Sequence, residues 1–157
     1  MDKNLLHYLE NHKIRYENYE HPAVFTVEES KNLKQKIPGM HCKTLFLRDE
    51  NEKFYLIAMK ADKRLDTKKL KETLNVKKLN FASQKELKEK INSTPGSVSI
   101  FATIYTKETT LIVDEEVWEA EKTGFHPNVN TSTLVLSHKD LEKFYNSLKI
   151  EKQILNL

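Results

Sequence analysis

The chain holds 157 residues, 38% apolar and 31% charged, and its 26 basic and 23 acidic side chains leave a net charge of +3. That length suits one domain able to bury a core without staples, and the interleaved charges exclude the strongly basic stripe of a duplex-binding module. A single cysteine, Cys42, excludes an internal disulfide framework, and no apolar run reaches the ~18 residues of a membrane span. The N-terminus opens directly into a charged amphipathic segment with no visible signal peptide, so a reducing, cytoplasmic setting without a membrane partner is expected.

Leu5, Leu6 and Leu9 give an N-terminal helix its apolar stripe. Three later helix starts carry the capping-box pattern, Thr26 with Glu29, Ser83 with Glu86 and Ser137 with Asp140. Leu87 and Ile91 continue the second at helical spacing; Leu141, Phe144, Tyr145 and Leu148 continue the third. Asp66 is placed to cap a helix with Leu70 and Leu74 on one face. Strand-like runs at 44–48 and 54–59 flank Asp49-Glu50-Asn51-Glu52 and read as a hairpin. The second run is apolar on both alternating sets, which predicts cover on both faces. Runs at 79–82, 98–105, 110–113 and 131–136 complete the strands. Residues 1–148 read as one domain, and 149–157 as a C-terminal tail that keeps helical spacing at Ile150, Ile154 and Leu155. Mixed order without βα alternation predicts an α+β fold: a mixed, curved sheet or partial barrel with helices packed outside.

The chemistry-bearing residues exclude more than they assert. Six histidines show no His-x-x-x-His spacing and Cys42 has no Cys-x-x-Cys partner, so no metal site is expected. Cys42 reads as a small buried hydrophobe rather than a nucleophile. There is no Gly-x-Ser-x-Gly elbow, and three glycines cannot build a phosphate loop. Gly39 follows Pro38 in a turn, Gly96 sits in a turn entering a strand, and Gly124 precedes a polar loop ending at Asn130 and Thr131. Lys43 stands at the mouth of a strand, as either a functional cation or a strand-end solubiliser. The only arginines are Arg15, Arg48 and Arg64; lysine-dominated basicity suits phosphates better than base edges.

Five segments together resemble the YbaK/ProX-type aminoacyl-tRNA deacylases. They are His21-Pro-Ala-Val-Phe-Thr-Val-Glu-Glu29, Lys43-Thr-Leu-Phe-Leu-Arg-Asp49, Leu79-Asn-Phe-Ala-Ser-Gln-Lys-Glu-Leu87, Pro95-Gly-Ser-Val98 and Phe125-His-Pro-Asn-Val-Asn-Thr131. They stand in the family's order and spacing over about residues 5 to 148. The last two look closest to the branch that clears alanine from proline tRNA, which resembles the editing insertion of bacterial prolyl-tRNA synthetases. The resemblance implies a YbaK-like fold and hydrolysis of a mischarged aminoacyl ester without metal or cofactor. The implied partners are mischarged tRNA, held at its 3′ aminoacyl end, and prolyl-tRNA synthetase, in cis or in trans. It implies that Lys43 is the essential lysine, that Gly96 and Ser97 lend backbone donors to the ester, and that His126 orients the substrate. Phe25 and Val27 are expected to line the side-chain pocket, with Thr44, Asn128, Asn130 and Thr131 also binding substrate. The chain departs from the family at Thr44, where asparagine is usual, and at Ile100, where the loop motif usually has proline. Two alternatives stay open: the same reaction on cysteine- or serine-charged tRNA, and a non-catalytic tRNA-binding or synthetase-docking module.

Overall fold

The computed structural model describes residues 2–23 and 27–157, Val27 by its backbone alone. Helix α1 (Lys3–Asn11) starts at Asp2, whose carboxylate accepts the Asn4 amide at 3.0 Å, and it buries Leu5 and Leu9 while Leu6 stays half-buried. Strand β1 (Glu17–Glu20) follows, then α2 (Val27–Lys36), with Glu28 and Glu29 at its positive end and Lys34 and Lys36 at its negative end. The hairpin is formed by β2 (Met40–Asp49) and β3 (Phe54–Lys60), paired from Cys42 with Lys60 to Arg48 with Phe54. Asp66 caps α3 (Thr67–Leu74) through the Lys69 amide, and Asn75 ends it in the left-handed conformation. Strand β4 (Leu79–Phe81) leads to α4 (Gln84–Ile91), where Ser83 and Glu86 complete their capping box. The chain ends with β5 (Thr110–Asp114), α5 (Glu115–Glu119), β6 (Lys122–Phe125), β7 (Ser132–Ser137), α6 (His138–Ser147) and β8 (Lys152–Leu155).

The eight strands form one open, mixed sheet in the order β1-β7-β6-β2-β3-β5-β8, with β4 attached to β2 beside this path. β3 is buried along Phe54 to Met59, because both its faces are covered. Phe54, Leu56 and Ala58 join the larger core with α1, α4 and α6, where Phe101 makes edge-on contacts with Phe125 and Phe144. Tyr55, Ile57 and Met59 face the smaller core under Leu70 of α3. No described helix is long and apolar enough to cross a membrane.

Two expectations fail. Residues 98–105 are not a strand: Ile100–Tyr105 is a 3-10 helix started by the Ser99 hydroxyl, which accepts the Phe101 amide at 3.1 Å. Ile100 through Thr103 are all buried, so that run carried no alternation to separate strand from helix. The tail does not continue as a helix. β8 pairs in parallel with β5, and Ile154 packs on the larger core while Leu155 packs on the smaller one. Neighbouring apolar residues meeting opposite faces is strand behaviour. The Thr26 capping box lies outside the described residues.

Asp49 organises the hairpin connection. Its buried carboxylate accepts the Asn51 amide at 2.8 Å, the Lys53 amide at 3.0 Å and the Tyr55 hydroxyl at 2.8 Å. Burial opposes the charge, yet these bonds together outweigh it and hold the carboxyl below its ordinary value. Its contribution to stability is present above a pH of about 4 and lost as pH falls through the lower folded value. Asp49→Ala should cost about 2–3 kcal/mol at pH 7, read from urea unfolding, and the deficit should shrink in acid.

Candidate active site

The outer edge of β2 changes neighbours along its length. Met40 and His41 pair in parallel with Thr123 and Gly124 of β6, whereas Leu47 to Asp49 pair antiparallel with β4. Between them, positions 42–45 have no ladder partner on that edge among the described residues. The sheet divides there, and a cleft of about 360 Å³ opens. One wall is β2 from His41 to Thr44; opposite it, α2 presents Ser30, Leu33 and Lys34, which share a face at helical spacing. The end of β6 adds Gly124, Phe125 and the following His126, and the turn before the 3-10 helix adds Gly96 and Val98.

Two cations reach this cleft. The side chains of Lys43 and Lys34 make no ion pair or hydrogen bond within the described residues. Both are available to an anion or an ester oxygen.

Gly96 occupies the third position of a turn closed by the Ser97 amide donating to the Thr94 carbonyl at 3.1 Å. Its φ of +84° and Pro95 before it make this a type II turn, where a side chain is strained even though a Cβ would meet nothing within 4 Å. The Gly96 amide has no acceptor among the described residues. The Ser97 amide, expected as a backbone donor to substrate, is used within the turn.

Three histidines gather around the cleft, and the carbonyls beside them fix their tautomers, since a carbonyl only accepts. His126 Nδ1–H donates to the Ser132 carbonyl at 3.0 Å, leaving the Nε2 lone pair free when the ring is neutral. His41 Nε2–H donates to the Ile37 carbonyl at 3.2 Å. His21 uses both nitrogens, Nδ1–H on the Pro22 carbonyl and Nε2 accepting from the Thr133 hydroxyl, each at 2.9 Å. Its ring centroid lies 6.0 Å from that of His126. Burial pushes His126 and His41 below the ordinary imidazole value, against the pull of their carbonyl partners, and for His41 the positive charge of Lys34 adds to the shift. Burial also pushes the Cys42 thiol up to about 12.

The expected residues therefore divide. Lys43, Thr44, Gly96 and His126 line one cleft. Ser97, Asn128, Asn130 and Thr131 do not line it; the Asn128 amide, at a φ of +61°, turns away to donate to Asp2 at 3.1 Å, and Asp2 also accepts the Tyr105 hydroxyl. Thr131 serves through its carbonyl, which takes the His21 amide at 2.9 Å. Phe25 and the Val27 side chain lie outside the described residues. Lys34, His41 and Thr133 were missed, although Ser30, Leu33 and Lys34 at i, i+3 and i+4 carried a legible signal for one helix face.

The sequence profile of the "Aminoacyl-tRNA editing domain" matches residues 21–144. The chain belongs to that family. It is 35% identical over 138 residues to "Prolyl-tRNA editing protein ProX" of Acetoanaerobium sticklandii, covering 86% of this chain and 84% of that protein. It is 33% identical over 149 residues to "Prolyl-tRNA synthetase associated domain-containing protein 1" of Bos taurus, covering 91% and 87%. A solved structure described as a candidate trans-editing enzyme for prolyl tRNA synthetase superposes with a TM-score of 0.76 at 18% identity, covering 100% of this chain and 98% of the other. That likeness establishes the shared fold of the editing domain.

The half-buried histidines make a measurable statement. In an NMR titration, His41 and His126 should both show midpoints below about 6.5. Because the folded values lie below the unfolded ones, stability should decline as pH falls from about 6.5 toward the folded midpoints. A midpoint at or above that of a free imidazole for His126 would contradict the neutral tautomer assigned to it.

Proposed function

We propose that the protein edits proline tRNA, hydrolysing the ester that joins a mischarged alanine to the tRNA 3′ end. The carrying observation is the convergence of Lys43, the Gly96 amide and the free Nε2 of His126 on one cleft. The relatives' names, which speak of prolyl-tRNA editing and of association with prolyl-tRNA synthetase, support the choice of tRNA. The synthetase, in cis or in trans, is the partner this reading carries.

An aminoacyl ester is already activated, so the site has to position water and stabilise developing charge more than supply a strong nucleophile. The Gly96 amide donates to the ester oxygen as the carbonyl carbon becomes tetrahedral. Lys43 neutralises the charge gathering there or on the adjoining phosphate, and its location between β2's two ladders keeps it clear of competing carboxylates. His126 Nε2, neutral at physiological pH, accepts a hydrogen bond from the attacking water or the substrate ammonium and so sets orientation. Water adds to the carbonyl, the bond to the ribose oxygen breaks, and that oxygen takes up a proton, releasing alanine and free tRNA.

A synthetase pocket sized for proline discriminates against alanine by only ~1–3 kcal/mol, which leaves errors for a second, smaller site to remove. The cleft offers Leu33, Val98 and Phe125 as apolar walls and, among the described residues, no carboxylate to tell two apolar side chains apart, so rejection of proline is steric. Alanyl-tRNA of proline specificity should be deacylated at least tenfold faster than prolyl-tRNA on the same transcript. Equal rates would end this reading, and faster release of cysteine or serine would keep the reaction while changing the substrate.

Lys43→Ala should lower turnover on alanyl-tRNA at least a hundredfold with the thermal midpoint little changed. A well-folded Lys43→Ala protein at near-normal rate would remove the lysine from the mechanism, and binding without turnover by the unmodified chain would favour a docking module. Metal plays no part in the proposed chemistry. No group of three candidate ligands gathers among the described residues, and both His21 nitrogens are engaged, so activity should survive prolonged EDTA treatment.

A further inference from the structure

Lys43 belongs to two clefts. It also lines a second groove of about 500 Å³, together with Leu45, Leu47, Leu79, Arg64 and Phe81. Lys43, Leu45 and Leu47 share one face of β2 by alternation, and Phe81 stands opposite Leu47 across the antiparallel ladder, so its ring projects on that face. Phe81 is 71% exposed, against 36% for Tyr16, the other large exposed hydrophobic residue among those described. A lone exposed ring needs no explanation. This one stands at the lip of an apolar-floored groove that runs to the candidate catalytic lysine.

The charge around the groove is asymmetric. Arg64 has no carboxylate partner among the described residues, and Lys43 has none either. Lys63 is occupied, bonded to Asp114 at 2.8 Å and Glu116 at 3.3 Å, and the Asp62 carboxylate is taken by Lys60 at 3.8 Å. The free charge at the rim is therefore positive, with an aromatic face beside it. That pairing is the means by which proteins hold single-stranded nucleic acid: stacking on the ring and phosphates on the cations.

We propose that this groove holds the unpaired 3′ end of the tRNA, with a base stacked on Phe81 and phosphates on Arg64 and Lys43, while the aminoacyl group passes over Lys43 into the first cleft. The inference rests on the editing function above and assigns the part of the substrate that the first cleft leaves outside. Stacking is tolerant of base identity, so the groove anchors the strand rather than reading it.

The test uses the whole chain, alanyl-tRNA of proline specificity, and a fluorescently labelled single-stranded RNA ending in CCA. Phe81→Ala, a surface change that leaves the core untouched, should raise KM and weaken oligonucleotide binding on the order of tenfold while kcat holds. Phe81→Trp should restore both, and Arg64→Ala should weaken binding and flatten its salt dependence. Unchanged KM and unchanged oligonucleotide binding in Phe81→Ala would overturn the proposal; if the same variant instead lost affinity for prolyl-tRNA synthetase, the groove would be a protein-docking face. Oligonucleotide binding that depends on Phe81 in a chain unable to deacylate would uphold this groove and reject the editing reaction.

Discussion

A strand edge can hydrogen-bond to one neighbour at a time, and β2 divides its outer edge between β6 at Met40 and His41 and β4 from Leu47 to Asp49. The interval left over is where the molecule is open. It lies in the middle of the sheet rather than at its rim, so rigid ladders flank it, and β3 backs it continuously on the other side. Side chains alternate across a strand, so consecutive residues of this interval serve different faces. Lys43 sits where the two clefts adjoin, and both depend on the strand keeping its register. A one-residue slip of β2 against β3 would exchange the faces and dismantle both clefts.

The cleft's electrostatics follow from how each polar group is already committed. Backbone carbonyls hold one nitrogen of His126, of His41 and of His21, and burial disfavours the charged form of His126 and His41. Positive charge in the cleft therefore comes from Lys43 and Lys34, whose stems reach it from a strand and from a helix. Neutral acceptors and unpaired cations then stand near each other without cancelling. The Asp2 carboxylate, which starts α1, also grips Asn128 and Tyr105 and so ties the loop after His126 to the N-terminal helix.

The sequence announced what local chemistry controls. Capping residues at Asp66 and Ser83, the hairpin around Asp49 and the doubly apolar run of β3 were legible, because each is decided within a few residues. Phe101 and its neighbours were not: a continuous buried run has no period, and a serine cap with tertiary burial decided for a 3-10 helix. β1 and β6 are short and carry charged residues, so they declare themselves only through their partner β7. At the site, Lys43, Gly96 and His126 came from family resemblance, and no local pattern separated them from ordinary turn and strand-end residues. The direction of Asn128 was not legible, because a polar side chain in a loop has no preferred direction until its partner, 126 positions away, is known.

Cys42 lines the cleft beside Lys43, and burial keeps its proton on up to a pH of about 12. At neutral pH the sulfur is therefore held as the thiol, whereas the thiolate is the form that attacks carbonyl carbon. An activated ester held next to a reactive sulfur would acylate it, and the enzyme would stall as a thioester. With that proton retained, the proposed editing reaction keeps water as its acyl acceptor, and the residue of strongest latent nucleophilicity in the cleft is a bystander to the transfer.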